Sequence, residues 1–151
     1  MKAPDFSLQD QTGTTRKLSD YIGKWLIVYF YPRDDTPGCT TEACAFRDGR
    51  DMLKGLGAEI VGISKDSVKS HAKFADKHDL NFTILSDEST ETIQAFGSWK
   101  LKKFMGREYM GITRDTYLIN PKGEIEKKYE GVNPKTHFQQ IYEDLQKLVA
   151  S

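Results

Sequence analysis

The sequence predicts an α/β fold: a central mixed sheet with helices on both faces, opened by an N-terminal β-hairpin. Three observations lead there. Continuous apolar runs, WLIVYFY at 25–31 and EIVGIS at 59–64, have the length and uniformity of strands buried on both faces. Segments with helical spacing alternate with such runs, the pattern of a layered α/β arrangement. Short segments flanking turn sequences near each end of the chain read as hairpins. A chain of 151 residues fits one domain, 1–151. At that size roughly 68–70% of the unfolded surface is buried, so stability requires no disulfide.

In chain order, FSL and TTRKL flank the turn QDQTG and form the first hairpin, and Ser19 and Asp20 introduce a short turn or helix. The run at 25–31 is the strongest strand signal, and it stops at Pro32. RDDTPG follows as a loop by every local criterion. Helical spacing starts near Thr40, with Ala43, Phe46, Met52, Leu53 and Leu56 on one stripe, Gly49 as a weak point and Gly57 as the stop. The second buried strand leads into a helix, SVKSHAKFADKH, that Ser64, Asp66 or Ser67 can cap. FTILS is a third strand, and DESTETIQAFG a helix ending at Gly97. Residues 98–113 show no clean period and read as a loop rich in aromatics and methionines. TYLI and EIEKKYE pair across NPKG, and NPKTHFQQIYEDLQKLVA closes the chain as an amphipathic helix.

Twenty-two basic residues balance 22 acidic ones, which argues against a nucleic-acid or anionic-membrane partner reached through a general positive field. No apolar run approaches the ~20 residues of a membrane span. The expectation is a cytoplasmic protein acting on a small ligand. In a reducing compartment, two nearby cysteines are catalytic, redox-sensing or metal-binding more often than permanently crosslinked.

Both cysteines, Cys39 and Cys44, lie in the stretch YFYPRDDTPGCTTEACAF. Cys39 stands where the loop feeds the helix, so free N–H groups and the helix dipole favour a thiolate there. Thr36 can bring a hydroxyl to the sulfur, Gly38 permits close approach to the backbone, and Pro32 can shield the sulfur from water. The competing reading makes Cys39 a small buried hydrophobe and Cys44 core packing beside Ala43 and Phe46. A zinc site is disfavoured, because His71, His78 and His137 are remote and two thiols at this spacing form no recognised ligand set. On an intact helix the two side chains would stand about 140° apart and about 7.5 Å displaced. A disulfide needs Cβ atoms only about 3.5–4.5 Å apart, so pairing would require the first turns to unwind.

FYPRDDTPGCTTEACAFRD resembles the active-site segment of the peroxiredoxins, in which Pro, Thr or Ser, and Cys recur at the spacing of Pro32, Thr36 and Cys39. The second cysteine five residues on resembles the peroxiredoxin Q or bacterioferritin comigratory protein branch. APDFSLQDQTG, VGISKDS, FTILSD and GITRDTYLINPKGEI extend the likeness over most of the chain. The resemblance implies a thioredoxin-like fold and a thiol peroxidase acting on hydrogen peroxide and organic hydroperoxides, without metal, haem or flavin. It makes Cys39 the peroxidatic cysteine and Cys44 the resolving one, their disulfide being reduced by thioredoxin or a similar dithiol. Thr36 and the Cys39 N–H would contact the thiolate and peroxide. Arg114 matches the family arginine; as a fixed cation it would lower the thiol pKa and stabilise charge as the O–O bond breaks. Read without the family, Arg114 is a surface residue at a strand edge. Glu42 would orient the arginine or serve the helix start. Arg47 and the RDDT stretch read as solvated surface, and residues 99–112 as a packed loop or an apolar collar over the site. The absence of a cysteine near the C-terminus argues against an intersubunit disulfide, and the resemblance implies a monomer. Two other functions fit paired thiols: a thioredoxin-like electron carrier, whose usual C-x-x-C is missing, and a non-catalytic redox sensor.

Overall fold

A computed structural model describes residues 2–150; the two ends of the expected 1–151 domain lie outside the described residues. Strands β1 (Ser7–Asp10) and β2 (Thr15–Lys17) form the opening hairpin, followed by one turn of 3-10 helix at Leu18–Tyr21. Next come β3 (Trp25–Phe30), α1 (Pro37–Gly55), β4 (Ala58–Ser64), α2 (Val68–Lys77), β5 (Thr83–Ser86) and α3 (Glu91–Phe96). A second hairpin, β6 (Trp99–Phe104) and β7 (Arg107–Ile112), precedes β8 (Thr116–Ile119), β9 (Ile125–Tyr129) and α4 (His137–Val149). Seven strands form one sheet in the order β2-β1-β5-β4-β3-β8-β9. β4 runs parallel to β3 and β5, while β1, β8 and β9 are antiparallel to their neighbours. This is the mixed, thioredoxin-like arrangement expected.

The apolar run of β3 explains the layering. Its alternate residues point to opposite faces. Ile27 and Tyr29 join one core with Phe46 and Leu53 of α1, Phe74 of α2 and Ile141 and Leu145 of α4. Leu26, Val28 and Phe30 join the other with Ile93 and Phe96 of α3, Ile112 and Tyr117. β3 is therefore central and buried on both faces, which is why its sequence shows no polar alternation.

Two expectations need correction, and a third position is explained by its packing. α1 begins at Pro37, not near Thr40: proline suits the first helical position, where its missing N–H costs no bond. Gly49, the weak point of that helix in the sequence, lies inside it. It is buried, and a Cβ there would overlap the ring of Phe138 at the start of α4, so its missing side chain is what lets the two helices meet. Gly49→Ala should lower stability by ~1–3 kcal/mol through overpacking, read by chemical denaturation; an unchanged midpoint would contradict this packing. Finally, residues 98–113 are not a loop. β6 and β7 pair from Trp99↔Ile112 to Phe104↔Arg107, across a tight turn whose Met105 and Gly106 both have positive φ (51° and 79°). This hairpin stands apart from the main sheet. Leu101, Phe104, Met105, Tyr109 and Met110 are exposed, so most of its apolar side chains are not packed as a buried loop would hold them.

Candidate active site

The site forms where the carboxyl end of β3 meets the start of α1. Thr36 is the N-cap of α1 and Pro37 its first residue, which puts Cys39 third in the first turn. Helix geometry leaves the N–H groups of Gly38 and Cys39 without intrahelical acceptors. Their partial positive charge falls beside the sulfur, where it favours an anion. Cys39 is 1% exposed and Cys44 is half-buried, both as free thiols on the intact helix.

Because β8 runs antiparallel to β3, its start lies at the end of β3: Tyr29 is opposite Thr116, and the Phe30 N–H donates to Asp115 O at 2.8 Å. Arg114 thus arrives directly beside α1. Its carbonyl accepts from the Val132 N–H at 2.9 Å. The next residue, Asp115, is buried and accepts from Ser98 Oγ, Thr113 Oγ1 and the Gly131 N–H. Held in this way, Arg114 Nη2 donates to Cys39 Sγ at 3.3 Å and Nη1 to Glu42 Oε1 at 2.9 Å. Sequence positions 75 and 72 residues apart are joined by one guanidinium. Arg114 is therefore not an ordinary surface residue at a strand edge. Burial opposes its charge, but Cys39 and Glu42 hold it above its ordinary value. A Cβ on Gly38 would lie 3.1 Å from Arg114 Nη2, so Gly38 makes room for the guanidinium.

Glu42 is 1% exposed, and among the described residues its Oε2 has no hydrogen-bond partner. Burial pushes its carboxyl up to about 7, against the opposing pull of Arg114. A folded-state value above the unfolded 4.5 stabilises the fold fully below that pH, and the contribution is lost as pH rises through about 7. Glu42→Gln does not titrate, so its melting temperature relative to wild type should rise across this window. A pH-independent offset would contradict this. Nearby His137 is pushed down to about 4 by burial and kept neutral, its Nε2 bonded to Thr116 Oγ1 at 2.6 Å.

The remaining expected residues are placed differently. The Thr36 hydroxyl donates to Arg33 O at 3.1 Å, and that bond turns it toward its own loop and not to the sulfur. Pro32 is half-buried, two residues beyond β3. Arg47 is not free surface: it donates to His78 O at 2.7 Å and to Asp48 at 2.9 Å. Asp34 is not solvated either, being 8% exposed. It converges with Asp66 and His71, but both Asp34 oxygens, Asp66 Oδ2 and both His71 ring nitrogens are already engaged with protein groups. Sequence reasoning also missed Lys102 of β6. Burial and the charge of Arg114 push its ammonium down while Cys39 opposes them, so the second hairpin flanks the site.

A buried thiol at a helix N-terminus, paired with a fixed guanidinium, defines a site for a reactive thiolate beside a cation that can stabilise negative charge developing on a leaving group. The sequence matches the AhpC/TSA family over residues 1–128, and the chain belongs to that family. Within it, the chain is a peroxiredoxin of the Bcp or peroxiredoxin Q type, a thiol-dependent peroxidase. It is 49% identical to Peroxiredoxin Bcp of Bacillus subtilis, over 95% of this chain and 92% of that protein. Against Peroxiredoxin Bcp of Escherichia coli K12 the identity is 45%, covering 89% and 86% of the two chains. The solved structure of Xanthomonas campestris Bacterioferritin Comigratory Protein, studied for its alkyl peroxide reduction activity, superposes with a TM-score of 0.91. That match has 35% identity and covers 95% of this chain and 92% of that one.

Proposed function

We propose that the protein reduces hydrogen peroxide and small organic hydroperoxides through Cys39, with Cys44 as resolving thiol and thioredoxin or a similar dithiol as reductant. The observation that carries this reading is the 3.3 Å contact of Arg114 Nη2 with the buried Cys39 sulfur at the first turn of α1. The Cys39 thiolate attacks one peroxide oxygen; the S–O bond forms as the O–O bond breaks, and the leaving oxygen takes a proton to become water or an alcohol. Sulfur is oxidised to sulfenic acid and the peroxide is reduced. The helix N-terminus and Arg114 favour the thiolate and stabilise the charge that develops on the oxygens. The Cys39 N–H orients the peroxide, and Thr36, whose hydrogen goes to Arg33 O, can only accept from it; Pro32 shields the sulfur, and Gly38 leaves space beside it. Glu42 holds Arg114 in place. In the second step the Cys44 thiol displaces the sulfenic oxygen, forming the disulfide and releasing water; a dithiol then returns both cysteines to thiols.

The intact helix keeps the two thiols about 140° apart around its axis, so resolution requires the first turns of α1 to open. Thr41 Oγ1 donates back to Pro37 O at 2.9 Å, a local bond that weakens the helix at this point. The exposed apolar residues on the flanking hairpin, and the alkyl peroxide reduction of the Xanthomonas relative, support organic hydroperoxides as substrates. We place the protein in the cytoplasm as a monomer acting without metal, haem or flavin.

The test is NADPH-coupled turnover with thioredoxin and its reductase, run beside insulin disulfide reduction. Sustained peroxide consumption without insulin reduction is expected. Insulin reduction without peroxide consumption would identify a carrier, and disulfide formation without sustained turnover under any reductant a sensor.

A further inference from the structure

The loop that delivers Cys39 contains one residue out of character with its surroundings. Arg33 and Asp35 are exposed, while Asp34 between them is buried. Asp34 Oδ1 accepts from Tyr31 Oη at 2.7 Å. Its Oδ2 accepts from Ser70 Oγ at 2.8 Å and meets His71 Nδ1 at 2.7 Å. His71 is fully buried, and its Nε2 donates to Leu85 O on β5 at 2.9 Å. A carbonyl only accepts, so Nε2 carries a hydrogen, and a single proton is shared between Nδ1 and Asp34. The Asp34 N–H donates to Asp66 Oδ2 at 2.8 Å, which also accepts from Ser64 Oγ at the end of β4. Asp35, in the left-handed region at φ 60°, is held by Lys77 Nζ at 2.7 Å and His78 Nε2 at 3.0 Å. The loop is thus tied to the ends of β4 and β5 and to both ends of α2.

We propose that Asp34 and His71 are positioning residues for the peroxidase reaction: they anchor the loop just upstream of Cys39, so that α1 opens and rewinds between two fixed points. The inference rests on Cys39 being the reacting thiol. The downstream point is Phe46, stacked on Tyr29 at 4.8 Å, followed by Gly49 against Phe138. Between the two points lie Thr36, Cys39 and Cys44, the segment that must move for the thiols to meet. A buried carboxylate–imidazole pair is poor evidence for stability, since apolar side chains of similar volume often do as well. It does fix geometry, because each of its bonds is directional and its partners lie on separate parts of the fold: Tyr31 just after β3, and Ser70 and His71 on α2, the latter tied in turn to β5.

Two variants test the anchor. Asp34→Asn keeps the shape but alters the shared proton; Ser70→Ala removes one hydrogen bond and leaves the Asp34–His71 pair, and it carries the test if the first variant does not fold. The readouts are the second-order rate of Cys39 oxidation by hydrogen peroxide, amide hydrogen exchange along the chain, and the sulfinic acid formed at Cys39 per turnover in excess peroxide. A displaced reacting group loses rate steeply, so roughly a 10-fold slower oxidation is expected for Asp34→Asn and a smaller loss for Ser70→Ala. Exchange should quicken at residues 38–44 but not in β4 and β5. Less sulfinic acid should form, because a helix that opens sooner presents its sulfenic acid to Cys44 before a second peroxide arrives. Unchanged rates and exchange would overturn the proposal. So would faster exchange spread evenly through α2, β4 and β5, the mark of a general structural role. If wild type itself consumes no peroxide, it is the proposed function that fails; if wild type turns over normally and the variants match it, only the anchor fails.

Discussion

Cys39→Ser is expected to reduce peroxide consumption to background while leaving the fold intact. Serine is close in size to cysteine, and the buried position accepts from Arg114 in either case. The hydroxyl, however, does not ionise at neutral pH and cannot be oxidised by peroxide, so the surroundings that favour a thiolate have nothing to act on. A cooperative melt close to that of wild type, together with absent turnover, would separate lost chemistry from lost structure. Retained turnover would move the reacting group elsewhere, and with only one other cysteine in the chain, Cys44 would be the place to look.

Arg114→Gln should have the next largest effect, about a 100- to 1,000-fold loss in kcat/KM for peroxide, the range seen when one preorganised donor to a developing oxyanion is removed. The amide can keep one contact, with Cys39 or with Glu42, but not the fork that now joins both. Loss of the charge acts twice: it withdraws stabilisation from the thiolate, and it leaves the buried Glu42 without its cation. A rate within a few-fold of wild type would mean that the helix N-terminus alone supplies the electrostatics. Arg114→Lys should recover only part of the loss, because an ammonium cannot make two directed bonds in one plane.

How far the sequence disclosed these features depends on what each one is made of. β3 was legible because burial on both faces leaves a continuous apolar run, and the loop after it was legible because Pro32, Pro37 and Gly38 punctuate it. Pro32, Thr36, Cys39 and Arg114 came forward as a pattern of spacing and resemblance. The meeting of Arg114 with Cys39 is a property of the sheet, in which antiparallel pairing of β8 with β3 carries Arg114 to the helix start. The hairpin of β6 and β7 was hidden for two reasons. Solvent reaches both of its strands, so no polar–apolar alternation is imposed, and its turn places Met105 in a conformation that glycine or asparagine usually announces. Asp34 was hidden because burial of its carboxylate depends on Ser70 and His71 of α2, remote in sequence and outside its local pattern, as is Asp66, which accepts from its N–H. At Gly49 the helix was read from the surrounding spacing despite the residue itself. Its propensity argued against a helix, and contact with Phe138 overrides it.

The most direct test of the central claim is the intact mass of the protein after one equivalent of hydrogen peroxide, with peptide mapping. Wild type should lose two hydrogen atoms and yield a peptide linked between Cys39 and Cys44. Cys44→Ser should instead gain one oxygen atom, located at Cys39 and trapped by a sulfenic-acid reagent. An unchanged mass, or oxygen found first at Cys44, would contradict the assignment of Cys39 as the thiol that meets the peroxide.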